Sequence, residues 1–377
     1  MEQFRPVWAN IDLGALQRNY VRLAQYTKSE IMPVVKANAY GHGVIPVVRT
    51  LRAAGAKRFG VALLEEALEI KAAFPDLGLM VLGVTPPEAS DRMVREEIIP
   101  EICCLENAQA LSRAAVAQGK TATLHIKVDT GMGRVGFRPE ETEDILRTAA
   151  LPGLFIEGIY MHFATADDSD LTFAKEQLEL FHALCRTLQE QGLHIPIRHA
   201  ANSAAFIQLP ESHLELVRPG AIMYGLPPSS VIGYAACVEP ALSWKAKITH
   251  LKMIKPGETV SYGRSFEAVA PTRVATIPLG YADGLRRSLS NKGQVLLRGK
   301  RVRIIGRVCM DQTMLDVTEV PDAAVGDTVT LLGCDGEEHI DAAELGEKMD
   351  TINYEVLCGI SLRVPRIYHE ACEKNPK

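Results

Sequence analysis

No apolar run in this 377-residue sequence approaches the roughly 18 residues that a membrane-spanning helix needs, so no transmembrane segment is expected. The opening segment is interrupted by Arg5, Pro6 and Asp12 and lacks the apolar block of a secretory signal. Aromatic residues make up only 6% of the chain, too few for a platform on which single-stranded nucleic acid would stack. A net charge of −5 leaves no basic field to hold nucleic acid or an anionic membrane. The one basic stretch, 292–307, contains Lys292, Arg298, Lys300, Arg301, Arg303 and Arg307. Its alternation with Val302 and Ile304 is that of a half-exposed strand. The eight cysteines include no CxxC pair, which reads as buried or free thiols in a reducing compartment; a cytoplasmic protein is expected. The ten histidines form no HExxH and no tight cluster, so no catalytic metal is expected. Internal repeats and low-complexity tracts are absent.

What is present is a globular composition, 47% hydrophobic and 23% charged, in a chain long enough for two domains or for one large barrel with an addition. From residue 31 to about 225, short apolar runs alternate with longer amphipathic stretches. The runs are IMPVVKA (31–37), RFGVAL (58–63), LGLMVLG (77–83), IIPEICC (98–104), ATLHIKVD (122–129), LFIEGIYMHF (154–163), IPIRHAA (195–201) and LELVRPGAI (214–222). Intervening helices are expected at 44–55, capped by Gly55, and at 176–192, ending at Gly192. Eight parallel βα units close a barrel, although Pro100 and Glu101 interrupt the fourth run. After about residue 235 the segments 242–254, 272–284, 293–308 and 326–334 read as antiparallel strands separated by Gly, Pro and Asn turns. A short helix is expected at 341–349. The expected fold is thus an N-terminal (β/α)8 TIM-like barrel over 13–235 and a C-terminal, mainly antiparallel β domain over 236–377, with 1–12 as a strand packing on the β domain. The boundary falls somewhere in 226–240.

At the carboxyl ends of barrel strands, where chemistry is built, the first run delivers Lys36 and then Asn38, Tyr40 and His42. The fifth delivers Lys127, Asp129 and the loop bearing Arg134; the sixth gives His162, the seventh Asn202 and Ser203, and the eighth Arg218 and Gly220. Ser203 and the turn at 218–221 offer a hydroxyl and backbone N–H groups where barrels commonly hold phosphate. Lys36 ends the apolar run Ile31, Met32, Pro33, Val34, Val35, so its stem is expected to be desolvated. That favours the neutral amine, the nucleophile that an aldehyde requires. The alternative is a lysine that snorkels from a strand end or pairs with a carboxylate. An amine facing a phosphate seat suggests pyridoxal 5′-phosphate.

VVKANAYGHG (34–43) resembles the cofactor-lysine motif of alanine racemases, the fold-type III pyridoxal-phosphate enzymes. KVDTGMGRVGF (127–137), MHFATAD (161–167), ANSAA (201–205), VRPGAIMYG (217–225), VSYGRSF (260–266), GYADG (280–284), CMDQ (309–312) and NYEVLC (353–358) match the same family in order. The resemblance implies a homodimer with shared active sites that interconverts L- and D-alanine for cell-wall precursors by two bases. These are Lys36, which also holds the cofactor, and Tyr262, contributed by the partner subunit. It implies that Ser203, Gly220, Ala221, Tyr40 and Tyr354 bind the cofactor phosphate, and that Arg218 faces the ring nitrogen. His162 and Arg218 are similar to the family's histidine and arginine that form a chain of hydrogen bonds towards the phenol. By the same resemblance, Arg134 is expected to serve the substrate carboxylate and the phenolic oxygen of the cofactor, and Met310 and Asp311, reached from the partner subunit, to complete the carboxylate site. Lys127 corresponds to a lysine often carbamylated in the family, which the sequence leaves open. Arginine keeps its proton, so Arg218 would leave the ring nitrogen unprotonated, which shortens carbanion lifetime and disfavours transamination.

Two further functions fit parts of the pattern. A racemase for serine or a broader set of amino acids shares the motifs, although Tyr354 narrows the site towards a small side chain. A pyridoxal-phosphate carrier would use the barrel and the lysine, but needs neither Tyr262 nor an intersubunit site. A decarboxylase would place Glu where Arg218 stands. Gly131, Gly133 and Gly136 spell a literal GxGxxG, with Glu157 on the next run, yet the loop lies mid-chain and Arg134 fills a position that needs no charge in a dinucleotide fingerprint. His194 and His199 flank the seventh run and read as structural or solvated.

Overall fold

A computed structural model describes residues 4–229, 232 and 238–370; the expected boundary at 235–236, Cys237 and Cys372 lie outside them. Packing divides the chain into two units, Leu16–Ala39 with Val44–Glu239, and Met1–Ala15 with Tyr40–Gly43 and Pro240–Lys377. Strand β1, Val7–Asp12, belongs to the second.

The first unit carries β2 (Glu30–Ile31), β3 (Arg58–Val61), β4 (Gly78–Val81), β5 (Ile99–Ile102), β6 (Ala122–Lys127), β7 (Leu154–Tyr160), β8 (Ile197–His199) and β9 (Leu216–Val217). Strands β3 to β8 pair in sequence as a parallel sheet, and β2 pairs in parallel with β9. Two seams close the ring. Val34 bridges Gly60, with Val35 N–H donating to Gly60 O at 2.8 Å. On the other side Glu215 N–H donates to Arg198 O and Arg218 N–H to Ala201 O, at 3.2 and 3.0 Å. All eight apolar runs become barrel strands. Inside, Met32, Met80, Tyr160 and Leu216 pack together with Leu82, Ile99 and Ile197 against them, the layered filling that keeps such a barrel a core and not a pore.

The expected helices form at Val44–Ala53, with Gly55 at φ +111° behind it, and at Thr172–Glu190, with Gly192 at φ +88°. The second begins four residues ahead of its expected start at 176. Pro100 does not break β5: its partner is Val81, and Glu101 pairs with His125. Apolar periodicity undervalued this strand because Glu101 is buried as a hydrogen-bond acceptor for the Tyr160 hydroxyl.

In the second unit β1 pairs antiparallel with β10 (Leu242–Lys247) and parallel with β20 (Arg366–His369). Strands β11 (His250–Ile254), β14 (Thr272–Ile277), β15 (Gln294–Leu297), β16 (Lys300–Ile305), β17 (Thr313–Asp316) and β18 (Thr328–Asp335) extend the antiparallel sheet in the order β11-β14-β17-β16-β15-β18-β10. Strand β19 (Glu338–Ile340) pairs with β18, while β12 (Thr259–Val260) and β13 (Phe266–Glu267) form a separate hairpin. Ile254, Val260, Ala268, Val274 and Ile305 make a buried cluster beneath that hairpin. The helix Ala342–Met349 starts where Asp341 accepts from Glu344 N–H at 2.8 Å, a side-chain cap on its first turn. Among the described residues no helix is long and apolar enough to cross a membrane, and no group of His, Cys, Asp or Glu is arranged to hold a metal.

Candidate active site

The chain leaves the first barrel strand through a turn of the wrong hand. After Lys36, residues Ala37, Asn38, Ala39 and Tyr40 all have φ of 52–54°, a single left-handed helical turn. For L-residues this costs about 1–2 kcal/mol each, and only asparagine among these is at home there. Two side chains hold it. Glu66 accepts from Ala37 N–H at 2.6 Å with one oxygen and from Ala62 and Leu63 N–H at 2.8 and 3.2 Å with the other. The Asn38 amide oxygen accepts from Val44 N–H at 2.8 Å. Lys36 is exposed. This corrects the expectation of a desolvated stem: β2 ends at Ile31, and the burial of the apolar run stops at Val35.

Farther round the same rim Arg218 is buried. Its Nη2 donates to Met161 O at 2.8 Å and Ala200 O at 3.1 Å and lies 3.4 Å from His162 Nδ1, while Nη1 lies 2.8 Å from His199 Nδ1. Burial pulls the guanidinium down to about 10, partly offset by Tyr160, so it stays charged at neutral pH. Its charge centre stands 5.0 Å over the Tyr160 ring. Burial, then the charges of Arg218, Arg134, Lys127 and Lys36, hold the half-buried His162 imidazole well below its usual range. Four predicted cations thus bear on one neutral histidine. Lys127 is buried, donates to Val128 O at 2.7 Å and is pulled down to about 8, chiefly by desolvation. Arg134 is exposed on its loop. Asp129 ties that loop back by accepting from Gly131 and Gly133 N–H, both at 3.0 Å. Gly136, at φ +132°, sits where a Cβ would come 2.5 Å from Asp129 N; the glycines serve a tight return and not a dinucleotide.

Ser203 opens the helix Ser203–Gln208 behind Asn202, whose side chain accepts from Ala204 and Ala205 N–H. The buried Ser203 hydroxyl oxygen accepts from Gly220 N–H at 2.9 Å and Ile222 N–H at 3.4 Å. Ser203, Gly220 and Ala221 are therefore in one place, and a hydroxyl with adjacent backbone N–H groups is the donor set that a phosphate requires.

In the second unit the buried Tyr40 and half-buried Tyr354 rings lie 6.2 Å apart, tilted at 47°. Burial, then Tyr354, raises the Tyr40 phenol well above its ordinary value. Tyr262 is 71% exposed on a loop in which Ser261, Gly263 and Arg264 all have positive φ. The loop is fixed from below: Ser261 Oγ donates to Arg307 O at 2.6 Å, and a Cβ at Gly306 would come within 2.7 Å of Ser261 Cβ. Met310 is exposed, and Asp311 accepts from Arg363 at 2.7 Å.

Sequence reasoning missed two residues here. Glu66 reads as an ordinary acid in the first turn of the helix Leu64–Ala73, and nothing local shows that it reaches the Lys36 turn. His199, read as structural or solvated, is fully buried against Arg218; its place at the inner end of β8, level with Lys127 and Tyr160 in register, was the available signal.

A closed eight-stranded βα barrel with an amine, a buried guanidinium and a hydroxyl–amide seat on its carboxyl rim has the build of a barrel enzyme. Two family models divide the chain, "Alanine racemase, N-terminal domain" over residues 11–228 and "Alanine racemase, C-terminal domain" over 241–368. The alanine racemase of Halothermothrix orenii is 45% identical over 367 residues, covering 97% of each chain. The solved alanine racemase of Clostridium difficile 630 superposes with a TM-score of 0.93 at 36% identity, covering 99% of this chain and 98% of that one. That of Bacillus anthracis with bound L-Ala-P gives 0.93 at 36%, covering 98% and 97%. The chain belongs to the alanine racemase family.

Proposed function

We propose that this protein interconverts L- and D-alanine with pyridoxal 5′-phosphate, as a cytoplasmic homodimer with shared active sites, and so supplies D-alanine for cell-wall precursors. The observation that carries the reading is that Arg218 lies 3.4 Å from His162 and that the charges of Arg218, Arg134, Lys127 and Lys36 all keep that imidazole neutral, a cationic setting suited to a phosphate and an amino-acid carboxylate. The Bacillus anthracis relative, solved with bound L-Ala-P, supports a ligand of that kind here.

The residues present fit the cofactor. Lys36 would hold its aldehyde carbon, Ser203 with Gly220, Ala221, Tyr40 and Tyr354 its phosphate, Arg134 its phenolic oxygen and Arg218 its ring nitrogen. When bound, the cofactor supplies an electron sink that makes the Cα proton of an attached amino acid removable. Inversion needs a base on each face of Cα. Lys36 Nζ holds the proton on one face, and Tyr262 Oη, from the partner subunit, on the other. Arg218 holds its proton at neutral pH and so leaves the ring nitrogen unprotonated. His162, neutral and with Nδ1 towards Arg218, presents Nε2 as the next group in line to a phenol. Met310 and Asp311 border the carboxylate.

The deciding experiment is incubation of the cofactor-loaded protein with single L-amino acids, followed by chiral analysis. Alanine should approach a racemic mixture, with deuterium from solvent at Cα; unchanged L-alanine overturns the reading, and faster turnover of serine moves the substrate.

A further inference from the structure

We propose that His199, His125 and Glu157 form a one-directional hydrogen-bond relay through the barrel core, which orients Arg218 from the opposite end of the strands and lends it a distant counter-charge. They are positioning residues, remote from the reacting atoms.

The direction follows from what each group can give. A guanidinium only donates, so His199 Nδ1, 2.8 Å from Arg218 Nη1, must accept, and the single proton of a neutral imidazole then sits on Nε2. That atom is 2.7 Å from His125 Nδ1, which must also accept. The His125 proton is thereby placed on Nε2, 2.9 Å from Glu157 Oε2. An ionised carboxylate only accepts, and the same oxygen takes Arg58 Nη1 at 2.9 Å, while Arg58 Nε donates to Glu30 at 3.0 Å. Every position is satisfied only if both imidazoles are neutral and carry their protons on Nε2.

The surroundings hold that state. His199 and His125 are buried. Burial keeps both imidazoles below their ordinary range; Arg218, His125, Arg58 and Lys127 add to it at His199, and Arg58 and Arg218 add to it at His125 against the opposing pull of Glu157. Glu157 is held down at about 2, first by the His125 hydrogen bond. His199 lies flat on Tyr160, with centroids 4.6 Å apart at 8°, and meets His125 edge-on at 4.9 Å.

The backbone is built for the relay. Between β6 and β7 the register slips, so that Leu124 faces Ile156 but His125 faces Gly158. Glu157 is the extra residue of a β-bulge, a device that re-aims a side chain. Gly158 leaves room for the ring: a Cβ there would lie 2.4 Å from His125 Nδ1. Among the described residues Arg218 has no carboxylate as a hydrogen-bond partner, only Met161 O, Ala200 O, His162 and His199, so the first anion along this path is Glu157, two imidazoles away.

The catalytic consequence rests on the reading of Arg218 as the ring-nitrogen partner; the proton positions do not. They can be measured in cofactor-free protein labelled with nitrogen-15 at histidine, using long-range proton–nitrogen correlation. His125 and His199 should both appear neutral with the proton on Nε2 throughout the range in which a free imidazole titrates. An Nδ1-protonated or charged form at either one overturns the proposal, whatever the activity. Glu157→Leu removes the oxygen that accepts from both His125 and Arg58, so the protonation pattern should shift at both histidines. In the loaded enzyme kcat should fall about tenfold, the scale of losing a residue that orients a functional group, with KM little changed. Unaltered tautomers and kcat in that variant overturn the relay. Glu157→Asp should restore part of kcat, and Glu215→Gln, which breaks an ordinary ion pair to Arg198 at 2.6 Å, should leave both readouts alone. If Glu157→Leu does not fold, Gly158→Ala takes its place and must displace the His125 signals. Expected tautomers in a protein that does not racemise alanine would uphold the relay and sink the functional reading.

Discussion

The carboxylate of Glu66 accepts from the backbone N–H of Ala37 at 2.6 Å, directly behind the lysine on which the proposed chemistry turns. The same side chain ties down Ala62 and Leu63, so one acid staples the turn after β2 to the turn after β3. Glu66→Ala leaves three N–H groups to solvent, and the protein should lose about 1–3 kcal/mol, the scale of hydrogen bonds to a charged acceptor. Urea denaturation of the cofactor-free protein measures this directly. Cofactor affinity should fall as well, because the Lys36 turn is no longer pinned; unchanged affinity would mean that the turn is held by its neighbours alone.

Ser203 is the second test. Its hydroxyl accepts from Gly220 and Ile222 N–H, so Ser203→Ala removes one of the proposed phosphate donors and frees the loop that carries the other proposed ones. Titration with pyridoxal 5′-phosphate should show about tenfold weaker binding, a loss of about 1.4 kcal/mol, while kcat at saturating cofactor should change little.

The two proposed bases should fail differently. Lys36→Ala should lose both the visible absorption of the loaded protein and all turnover. Tyr262→Phe should keep the absorption, and deuterium exchange into L-alanine should slow by about 10²–10⁴-fold, the usual worth of a general base. Exchange into D-alanine through Lys36 should survive. Equal slowing of both enantiomers would remove Tyr262 from the scheme.

Lys127 sets a pH dependence with a definite sign. Burial lowers its amine from 10.5 to about 8, so between those values the unfolded chain binds more protons than the folded one, and stability rises with pH. Below about 8 the whole penalty is present. Lys127→Met should therefore be more stable than the parent at neutral pH, by about 1–3 kcal/mol, and the gap should close as pH rises through 8 towards 10.5. Denaturation curves of both proteins at matched pH decide it; a gap that widens upward contradicts the burial argument.

The eight strands were legible because a parallel barrel strand is apolar on both faces, and each run announced itself. The rim residues followed from the strand ends, so Lys36, His162, Ser203 and Arg218 could be placed before any coordinates. What could not be read depends on contacts that no local pattern encodes. Glu66 looks like dipole chemistry at a helix start. Glu157 owes its aim to a bulge, and bulges leave no periodic trace when one residue is added to a short strand. Lys36 was expected to be desolvated from the hydropathy of its neighbours, yet burial stops one residue before it. Alanine has no taste for the mirror-image helical region, so the turn at 37–40 was invisible to propensity. The N-terminal strand lies beside β20, a pairing between the two ends of the chain that only tertiary structure declares.

That backward-wound turn has a practical corollary for anyone seeking a hardier version of the molecule. Glycine at position 37 or 39 would relax the coil and, by itself, raise the melting temperature. The same slack would let the amine wander over several directions. Robustness and aim are thus set against each other within four consecutive peptide units, and laboratory selection for heat tolerance alone should drift towards sluggish variants there.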